Sequence, residues 1–269
     1  VTIVPAIHGK AAVEQLRQGA ADLATAAEVV FLLSVMKGEA LGIAASILSA
    51  SSDHAVIARR DHGIAAPRDL AGRKVGVTFG TSGEYFLWAF LIRHRIAPDS
   101  VTLVDLPPGQ MAQALAAGAI DATATWQPNV VNILSAMGEN AATFSGNDAY
   151  GPSMALVGRS DFLREHPRAM QKLMSALLKA EQFNRSHPED ALALVAGRLK
   201  VEVETLRPTW KDFNLRVDLT QSLLITLEDE ARWAMARGHA ETGPVPNFLP
   251  HLYLDALLAV RPERVTVVH

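Results

Sequence analysis

The sequence predicts an α/β protein made of two lobes, with a helical C-terminal part. Strand-like and helix-like segments alternate through the first 160 residues, with short turns between them, which is typical of mostly parallel sheets flanked by helices. Helical patterns dominate from Asp161 onward. Two strand-like segments, HAVIARR and SMALVGR, bracket a self-contained β–α unit. We therefore expect one lobe at residues 1–62 plus 154–269, an inserted lobe at 63–153, and a two-stranded hinge between them.

The individual elements follow from apolar periodicity and from the residues that end each pattern. Gly19 and Gly38 end the first two helical patterns, and Pro67 opens a short helical turn. Pro188 and Gly197 punctuate the later helices. The predicted strands are VTIVPAI, ADLATA, LGIAASIL, HAVIARR, KVGVTF, VTLVDL, IDATAT, AATFS, SMALVGR and a closing ERVTVV. The predicted helices of the first part are GKAAVEQLRQG, AEVVFLLSVMKG, SGEYFLWAFLIRH, GQMAQALAAG and QPNVVNILSAMG, and those of the second part are HPRAMQKLMSALLKAEQFNRS, HPEDALALVAGRL, EVETLRPTW, LTQSLLITLEDEARWAMARG and LPHLYLDALLAV.

Composition narrows the class of protein. Of 269 residues, 49% are apolar and 20% are charged, which is enough to build a core. The net charge of −3 and the lack of a basic run argue against nucleic acid as the partner. No apolar run approaches the ~20 residues of a membrane span. There is no cysteine, and no two of the nine histidines have the spacing of a helical metal pair, so neither a metal site nor a cofactor is predicted.

The turn FGTSGEY lies where a predicted strand passes directly into a helix. The first turn of a helix leaves backbone N–H groups unpaired, and its dipole favours a nearby negative charge. Gly80 would let an anion approach the backbone, while the hydroxyls of Thr81 and Ser82 would add donors. The alternative is that a hydroxyl only caps the helix and the glycines only form the turn. The glycine spacing excludes both the phosphate loop and the dinucleotide fingerprint.

Several segments together resemble one protein family. They are GIAAPRDLAGRKVGVTFGTSGEYFL, LVDLPPGQMAQALAAGAIDATATWQPNV and, upstream, VEQLRQGAADLATAA. The order and spacing resemble the periplasmic solute-binding proteins of ABC importers for nitrate, sulfonates and taurine, and the related binders of thiamine-pyrimidine precursors. The resemblance implies a two-lobed periplasmic-binding-protein fold, a small-molecule ligand, a membrane permease as partner, a monomer and an extracytoplasmic location. Such proteins usually begin with one further strand and loop, whereas this chain resembles them from their second strand.

The resemblance also implies where a ligand would bind. In the inserted lobe we expect the turn residues and the first helical turn to contribute, followed by the end of the next strand and the loop before SMALVGR. Each position has an ordinary structural alternative, such as a helix cap, a solvated turn, core packing or a surface ion pair. The candidates are Thr25, Ala26, Ser51, Ser52, Asp53, Gly80, Thr81, Ser82, Tyr85, Trp126, Gln127, Tyr150 and Arg216. Asp121 is expected to fix a strand rather than to contact the ligand.

Three functions are weighed. The first is a non-catalytic protein that binds a small organic anion, such as a sulfonate, taurine, nitrate or a carboxylate, for import; a neutral heteroaromatic ligand is the alternative. The second is a ligand-sensing domain of a membrane receptor with the same fold. The third is a hydrolase using Ser82, His54 and Asp53, which we disfavour because FGTSG lacks the G-x-S-x-G spacing. Asp53 and His54 are also sequence neighbours, which on an extended chain would orient them poorly towards each other.

Overall fold

The structure is a computed structural model that describes residues 1–50, 52–145 and 149–268. The strands are β1 (Leu23–Ala27), β2 (Leu41–Ala50), β3 (His54–Arg59), β4 (Lys74–Val77), β5 (Thr102–Asp105), β6 (Ala122–Trp126), β7 (Ala141–Ser145), β8 (Ser153–Arg159) and β9 (Phe213–Asn214). The helices are α1 (Gly9–Arg17), α2 (Glu28–Val35), α3 (Ser82–Arg93), α4 (Met111–Ala116), α5 (Asn129–Met137), α6 (Ser160–Glu165), α7 (Pro167–Ser186), α8 (Pro188–Leu199), α9 (Val203–Trp210), α10 (Gln221–Ala236) and α11 (Asp255–Val260).

The chain divides into two compact units. The first comprises Val1–Ala50 and Pro152–His269, and the second comprises Ser51–Gly151. The strand β3 hydrogen-bonds to β6 and β7, so it belongs to the second unit. The first boundary therefore lies before this strand, at residues 50 and 51, whereas the sequence placed it after residue 62.

The sheet of the first unit has the order β1–β8–β2–β9. Its strand pairs are antiparallel in the described residues, so the expectation of a mostly parallel sheet was wrong here. The crossover through α2 does leave β1 and β2 pointing the same way, because both run antiparallel to β8. The late strand β8 inserts between them, and nothing in the local pattern of either strand reveals that insertion.

Two buried carboxylates tie the parts of the first unit together. Glu28, at the start of α2, accepts a hydrogen bond of 2.8 Å from the N–H of Ser153 in β8. Glu181 in α7 accepts from the N–H of Val217 and, through one oxygen, from Arg185 and Arg264, both at 2.6 Å. Buried charges are tolerated when they are paired in this way.

The second unit contains a mixed sheet in the order β5–β4–β6–β3–β7. The strand β4 is parallel to both β5 and β6, whereas β3 is antiparallel to β6 and β7. Four of the six side chains of β3 are apolar and buried, as expected for a central strand that is covered on both faces. On one face, β3 packs against α4 and α5 in a core of Ala55, Ile57, Met111, Leu115, Ile120, Val130 and Ile133.

Two further sequence expectations differ from the structure. The segment VTIVPAI has no regular secondary structure at residues 1–6, and Val1, Ile3 and Val4 are exposed. The segment ERVTVV forms no strand: Glu263 and Arg264 lie in a 3-10 turn, and Val265 makes an isolated bridge to Leu219. Both segments have the apolar alternation of a strand, but a strand also needs a neighbouring backbone with which to pair. No helix in the described residues is long and apolar enough to cross a bilayer.

Asp121 has the structural role expected of it. Its carboxylate accepts 2.8 Å from the N–H of Lys74 at the start of β4 and lies 2.6 Å from Nδ1 of His62. It thereby fixes the beginning of one strand beside the beginning of another. No ligand role is needed to explain it.

Candidate functional site

The candidate site lies in the second unit, where the chain passes from β4 to α3. The backbone of Gly80 has φ +70°, which a side chain would oppose, and its N–H donates 2.7 Å to a carboxylate oxygen of Glu84. Thr81 is the N-cap residue, but its hydroxyl donates 2.7 Å to the carbonyl of Thr78 and makes no capping bond. The two donors that we expected Gly80 and Thr81 to offer a ligand are thus already engaged within the protein.

The donors left at this turn belong to Ser82 and Gly83. Among the described residues, no hydrogen bond partner is present for the backbone N–H of either residue. They open a helix of 12 residues, so the aligned peptide dipoles place partial positive charge at these amides. This is the arrangement that binds oxyanions at helix N-termini.

Glycine is favoured at position 83 because Trp126 of β6 lies against it. A Cβ atom at this position would lie 3.1 Å from Cζ3 of Trp126 and 3.4 Å from the carbonyl of Ala124. The indole therefore lies directly against the first turn of α3, where a larger residue would push it away. Trp126 is only partly buried.

The Ser82 hydroxyl is held by a histidine from the neighbouring strand. Nε2 of His54 lies 3.1 Å from Oγ of Ser82, and Nδ1 of the same ring lies 3.6 Å from Oδ2 of Asp53. The three residues thus form an Asp53–His54–Ser82 chain, of which only the second contact is within hydrogen-bonding distance. The Asp53 and His54 side chains approach each other without forming a hydrogen bond, in keeping with the poor orientation expected of sequence neighbours.

Burial changes the protonation of both titratable members of this chain. The His54 ring is almost fully buried, and desolvation lowers its pKa to about 3, so the imidazole is neutral at ordinary pH. Desolvation also raises the pKa of Asp53 to about 6, against a hydrogen bond from the N–H of Gln127 that lowers it. Nδ1 of His54 has no hydrogen-bond partner among the described residues.

Aromatic rings surround the histidine. The His54 ring centroid lies 5.2 Å from that of Phe86, 5.6 Å from Tyr150 and 6.1 Å from Trp126. Tyr85, which we expected to point towards a ligand, is 9% exposed and packs edge-on against Tyr150 at 5.0 Å. The two tyrosines therefore act first as packing residues, and they exclude water from the imidazole.

The remaining candidates of the second unit have smaller roles. The N–H of Gln127 donates to Asp53, and the side-chain oxygen of Gln127 accepts from the N–H of Val131 at 3.4 Å. The Oγ atom of Ser52 is buried without a hydrogen-bond partner in the described part of the chain. Ser51 lies outside the described residues.

The candidates of the first unit are not arranged as a turn facing a ligand. Thr25 lies within β1, opposite Leu156 of β8, so it is neither a turn residue nor the cap of α2, which is Ala27. Ala26 is fully buried, and a Cβ added at Gly9 would lie 2.9 Å from its methyl group, so α1 covers it. Arg216 is exposed and donates 2.6 Å to Asp218, which is the surface pairing weighed as its alternative.

Sequence reasoning considered Ser82, His54 and Asp53 together only as a disfavoured hydrolase triad and did not predict that His54 and Ser82 would be in contact. The only available signal was a polar residue at the start of a strand that is otherwise apolar. The contact also requires the antiparallel pairing of β3 with β6, which places His54 opposite Trp126 and hence beside the first turn of α3. In the described residues, no three acidic or histidine side chains are placed to hold a metal ion.

A family model described as NMT1/THI5 like matches residues 1–191 of the chain. A putative binding protein of Brucella abortus is 27% identical over 154 residues, which are 56% of this chain and 48% of that protein. A putative aliphatic sulfonates-binding protein of Bacillus subtilis is 29% identical over 167 residues, 60% and 49% of the two chains. The taurine-binding periplasmic protein of Escherichia coli is 30% identical over 128 residues, 47% and 40% of the two chains. The chain thus spans about half the length, or less, of the curated relatives it matches.

Solved structures share the fold. The periplasmic aliphatic sulphonate binding protein SsuA of Escherichia coli superposes with a TM-score of 0.79 at 16% identity, over 94% of this chain and 87% of that one. The desulfurization enzyme DszB superposes with a TM-score of 0.59 at 19% identity, over 88% and 86% of the two chains. These likenesses establish the periplasmic-binding-protein fold. They also show that the fold serves both binding proteins and an enzyme, so the fold alone does not decide between these functions.

Proposed function

Because the chain belongs to the NMT1/THI5-like family, we propose that it is an extracytoplasmic solute-binding protein that captures a small organic anion for an ABC importer. The observation that carries the proposal is the pair of unpaired amides of Ser82 and Gly83 beside the indole of the partly buried Trp126. The amides suit an anionic oxygen, and the ring suits an apolar portion attached to it. Sulfonates, taurine and carboxylates combine these two features.

The names of the relatives support the same class of ligand. Two of them are named for binding aliphatic sulfonates and taurine. The proposal that this chain binds such a compound rests on the chemistry of its own α3 turn, with those names as support. Delivery to a permease, function as a monomer and location outside the cytoplasm belong to the same proposal.

We also propose that the protein is not a catalyst. Ser82 and His54 are in contact, but Oδ2 of Asp53 lies 3.6 Å from Nδ1 of His54, which is not a hydrogen bond, so the three residues do not form the connected triad of a hydrolase. The structural likeness to DszB makes this worth measuring. Sustained release of nitrophenol from nitrophenyl esters, lost in Ser82→Ala, would overturn this part of the proposal.

The binding function is tested by isothermal titration calorimetry at pH 6 with ethanesulfonate, taurine, nitrate, benzoate and a neutral aminopyrimidine. We expect at least one of the anions to bind. Replacing Ser82 by Ala should weaken that binding by about 1.5–3 kcal/mol, the usual contribution of one hydrogen bond to a charged group. Ser100→Ala is the matched control, because in the described part of the unit the Ser100 hydroxyl bonds only to the carbonyl of Ala97, in a turn away from α3.

Two results would contradict the proposal. Binding of the aminopyrimidine alone would assign a neutral ligand instead of an anion. Equal loss of affinity in Ser82→Ala and Ser100→Ala would show that the α3 turn is not the binding site.

A further inference from the structure

We propose that Asp53 and His54 set whether the Ser82 hydroxyl donates or accepts a hydrogen bond, so that binding of an anion at the first turn of α3 is accompanied by uptake of one proton. The inference rests on the proposed function. It makes Asp53 and His54, which need not contact the ligand, determinants of how the anion is bound. They would act as positioning residues through the serine hydroxyl.

The argument begins with the neutral imidazole. A neutral histidine has one ring nitrogen that donates and one that accepts. Because Nε2 contacts the Ser82 hydroxyl at 3.1 Å, the tautomer of His54 decides the direction of that hydrogen bond. If Nε2 accepts, the serine proton is used within the protein, and only lone pairs of Oγ face outward. If Nε2 donates, the serine proton is available to a ligand.

The charge of Asp53 selects the tautomer. An ionised carboxylate can only accept, so its approach to Nδ1 favours the form in which Nδ1 carries the proton and Nε2 accepts from Ser82. A protonated Asp53 can donate to Nδ1, and the ring then carries its proton on Nε2 and donates to Ser82. One proton added to Asp53 therefore reverses the donor and acceptor roles at both contacts of the Asp53–His54–Ser82 chain, while the imidazole stays neutral.

The geometry indicates which carboxyl oxygen takes the proton. Oδ1 of Asp53 accepts from the N–H of Gln127 at 3.2 Å, whereas Oδ2 faces Nδ1 of His54 at 3.6 Å. The second distance must shorten by about 0.6 Å to reach a good hydrogen bond. The Asp53 side chain is 15% exposed and the His54 side chain 2%, so this movement is assigned to Asp53.

Among the described residues, the other ionisable groups near the Asp53–His54–Ser82 chain lie on α3 and in the loop before β8. On α3, Glu84 accepts a hydrogen bond from the N–H of Gly80. Tyr85, also on α3, packs against Tyr150. Tyr150 lies in the loop before β8 and also covers His54. On the β6 side, His54 lies opposite the uncharged Trp126, and the N–H of Gln127 bonds to Asp53. Burial raises the pKa of Asp53 to about 6 and so brings its titration towards neutral pH.

The first test needs no ligand. Two-bond ¹H–¹⁵N correlation spectra of the imidazoles distinguish the two neutral tautomers and the imidazolium, and the His54 signal is identified by its absence in His54→Gln. We expect a ring that is neutral from pH 5 to 8 and that changes from mainly Nε2–H at pH 5 to mainly Nδ1–H at pH 8. In Asp53→Asn the change with pH should disappear. If no histidine keeps a neutral ring at pH 5, or if the neutral ring keeps one tautomer throughout, the inference is wrong.

The second test measures the linkage. The Kd of ethanesulfonate is determined from pH 5 to 8 in buffers that contain no sulfonate or carboxylate, since ethanesulfonate itself does not titrate in this range. We expect Kd to be constant well below pH 6 and to rise with pH above 6. The steepest rise should be about tenfold per pH unit, which is the signature of one linked proton. Asp105→Asn is the control. It removes a carboxylate that accepts from the N–H of Phe79 and lies outside the Asp53–His54–Ser82 chain, so the dependence of Kd on pH should remain.

The variants separate the explanations. Simple repulsion between the anion and ionised Asp53 would leave the pH dependence intact in Ser82→Ala, whereas the proposed chain predicts that the dependence is lost with the hydroxyl. Retention of the full slope in Ser82→Ala therefore overturns the inference. Binding of ethanesulfonate with a Kd that does not change with pH also overturns it and leaves the proposed function standing. Absence of binding by every anion instead overturns the proposed function, and the tautomer spectra still decide the behaviour of His54.

Discussion

Asp53 and His54 should make opposite contributions to stability in acid, and replacing either residue should reveal the pH-dependent contribution of the other. The pKa of His54 falls from 6.5 to about 3 on folding, so the stability linked to this group is complete above pH 6.5 and is lost as the pH falls towards 3. The pKa of Asp53 rises from 3.8 to about 6, so its linked stability is complete below pH 3.8 and is lost as the pH rises towards 6. Between pH 4 and 6 the two effects oppose each other.

The magnitudes follow from the width of each window. Acidification from pH 7 to 4 crosses about 2.5 units of the His54 window and about 2 units of the Asp53 window, and at about 1.4 kcal/mol per unit each effect is on the order of 3 kcal/mol. In the wild type they nearly cancel. Relative to the wild type, Asp53→Asn should therefore be about 3 kcal/mol more stable at pH 7 and equal to it at pH 4, whereas His54→Gln should be equal at pH 7 and about 3 kcal/mol more stable at pH 4.

The assay is urea unfolding of the wild type, the two single variants and the double variant at pH 4, 5, 6 and 7, followed by tryptophan fluorescence. Differences between variants at one pH cancel the contributions of the other titrating groups. The two single variants should show pH dependences of opposite sign, and the double variant should lack the pH dependence that these two groups contribute. If both single variants follow the wild type at every pH, the two residues are not desolvated as the structure indicates and the reasoning fails.

Four further substitutions test the packing. Gly83→Ala should weaken binding of the anion several-fold by displacing the Trp126 ring in titration calorimetry, while unfolding changes by only about 0–2 kcal/mol because the better helix propensity of Ala offsets crowding. Gly80→Ala, at φ +70°, should cost about 1–2 kcal/mol in urea unfolding; an unchanged midpoint would contradict the left-handed turn. Arg264 and Arg185 both bond to the buried carboxylate of Glu181, but their side chains are 17% and 70% exposed. Arg264→Ala should therefore lower the free energy of unfolding by about 3 kcal/mol, and Arg185→Ala by less than about 1 kcal/mol. Equal effects would refute that argument.

The local elements of the structure were largely predictable. Helices α1, α2 and α3 and strands β3, β4 and β6 lie where apolar periodicity and helix-ending glycines placed them. These features depend on residues within one turn or one strand of each other, so a single stretch of sequence contains the information. The segments VTIVPAI and ERVTVV show the limit of this reasoning, since a strand pattern does not supply a partner strand.

By itself, the sequence determined the α/β class, the resemblance to a family and the place where donors gather, at the turn before α3. Only the tertiary structure decided which of those donors are free. The hydroxyl of Thr81 and the N–H of Gly80 are consumed by local contacts, and Ser82 is paired with a histidine 28 residues earlier. The physical reason is that the pairing of β3 with β6 brings His54 to Ser82, and burial by aromatic rings from α3 and from the loop before β8 then sets its protonation. Neither strand pairing nor desolvation can be read from the residues that surround a single position.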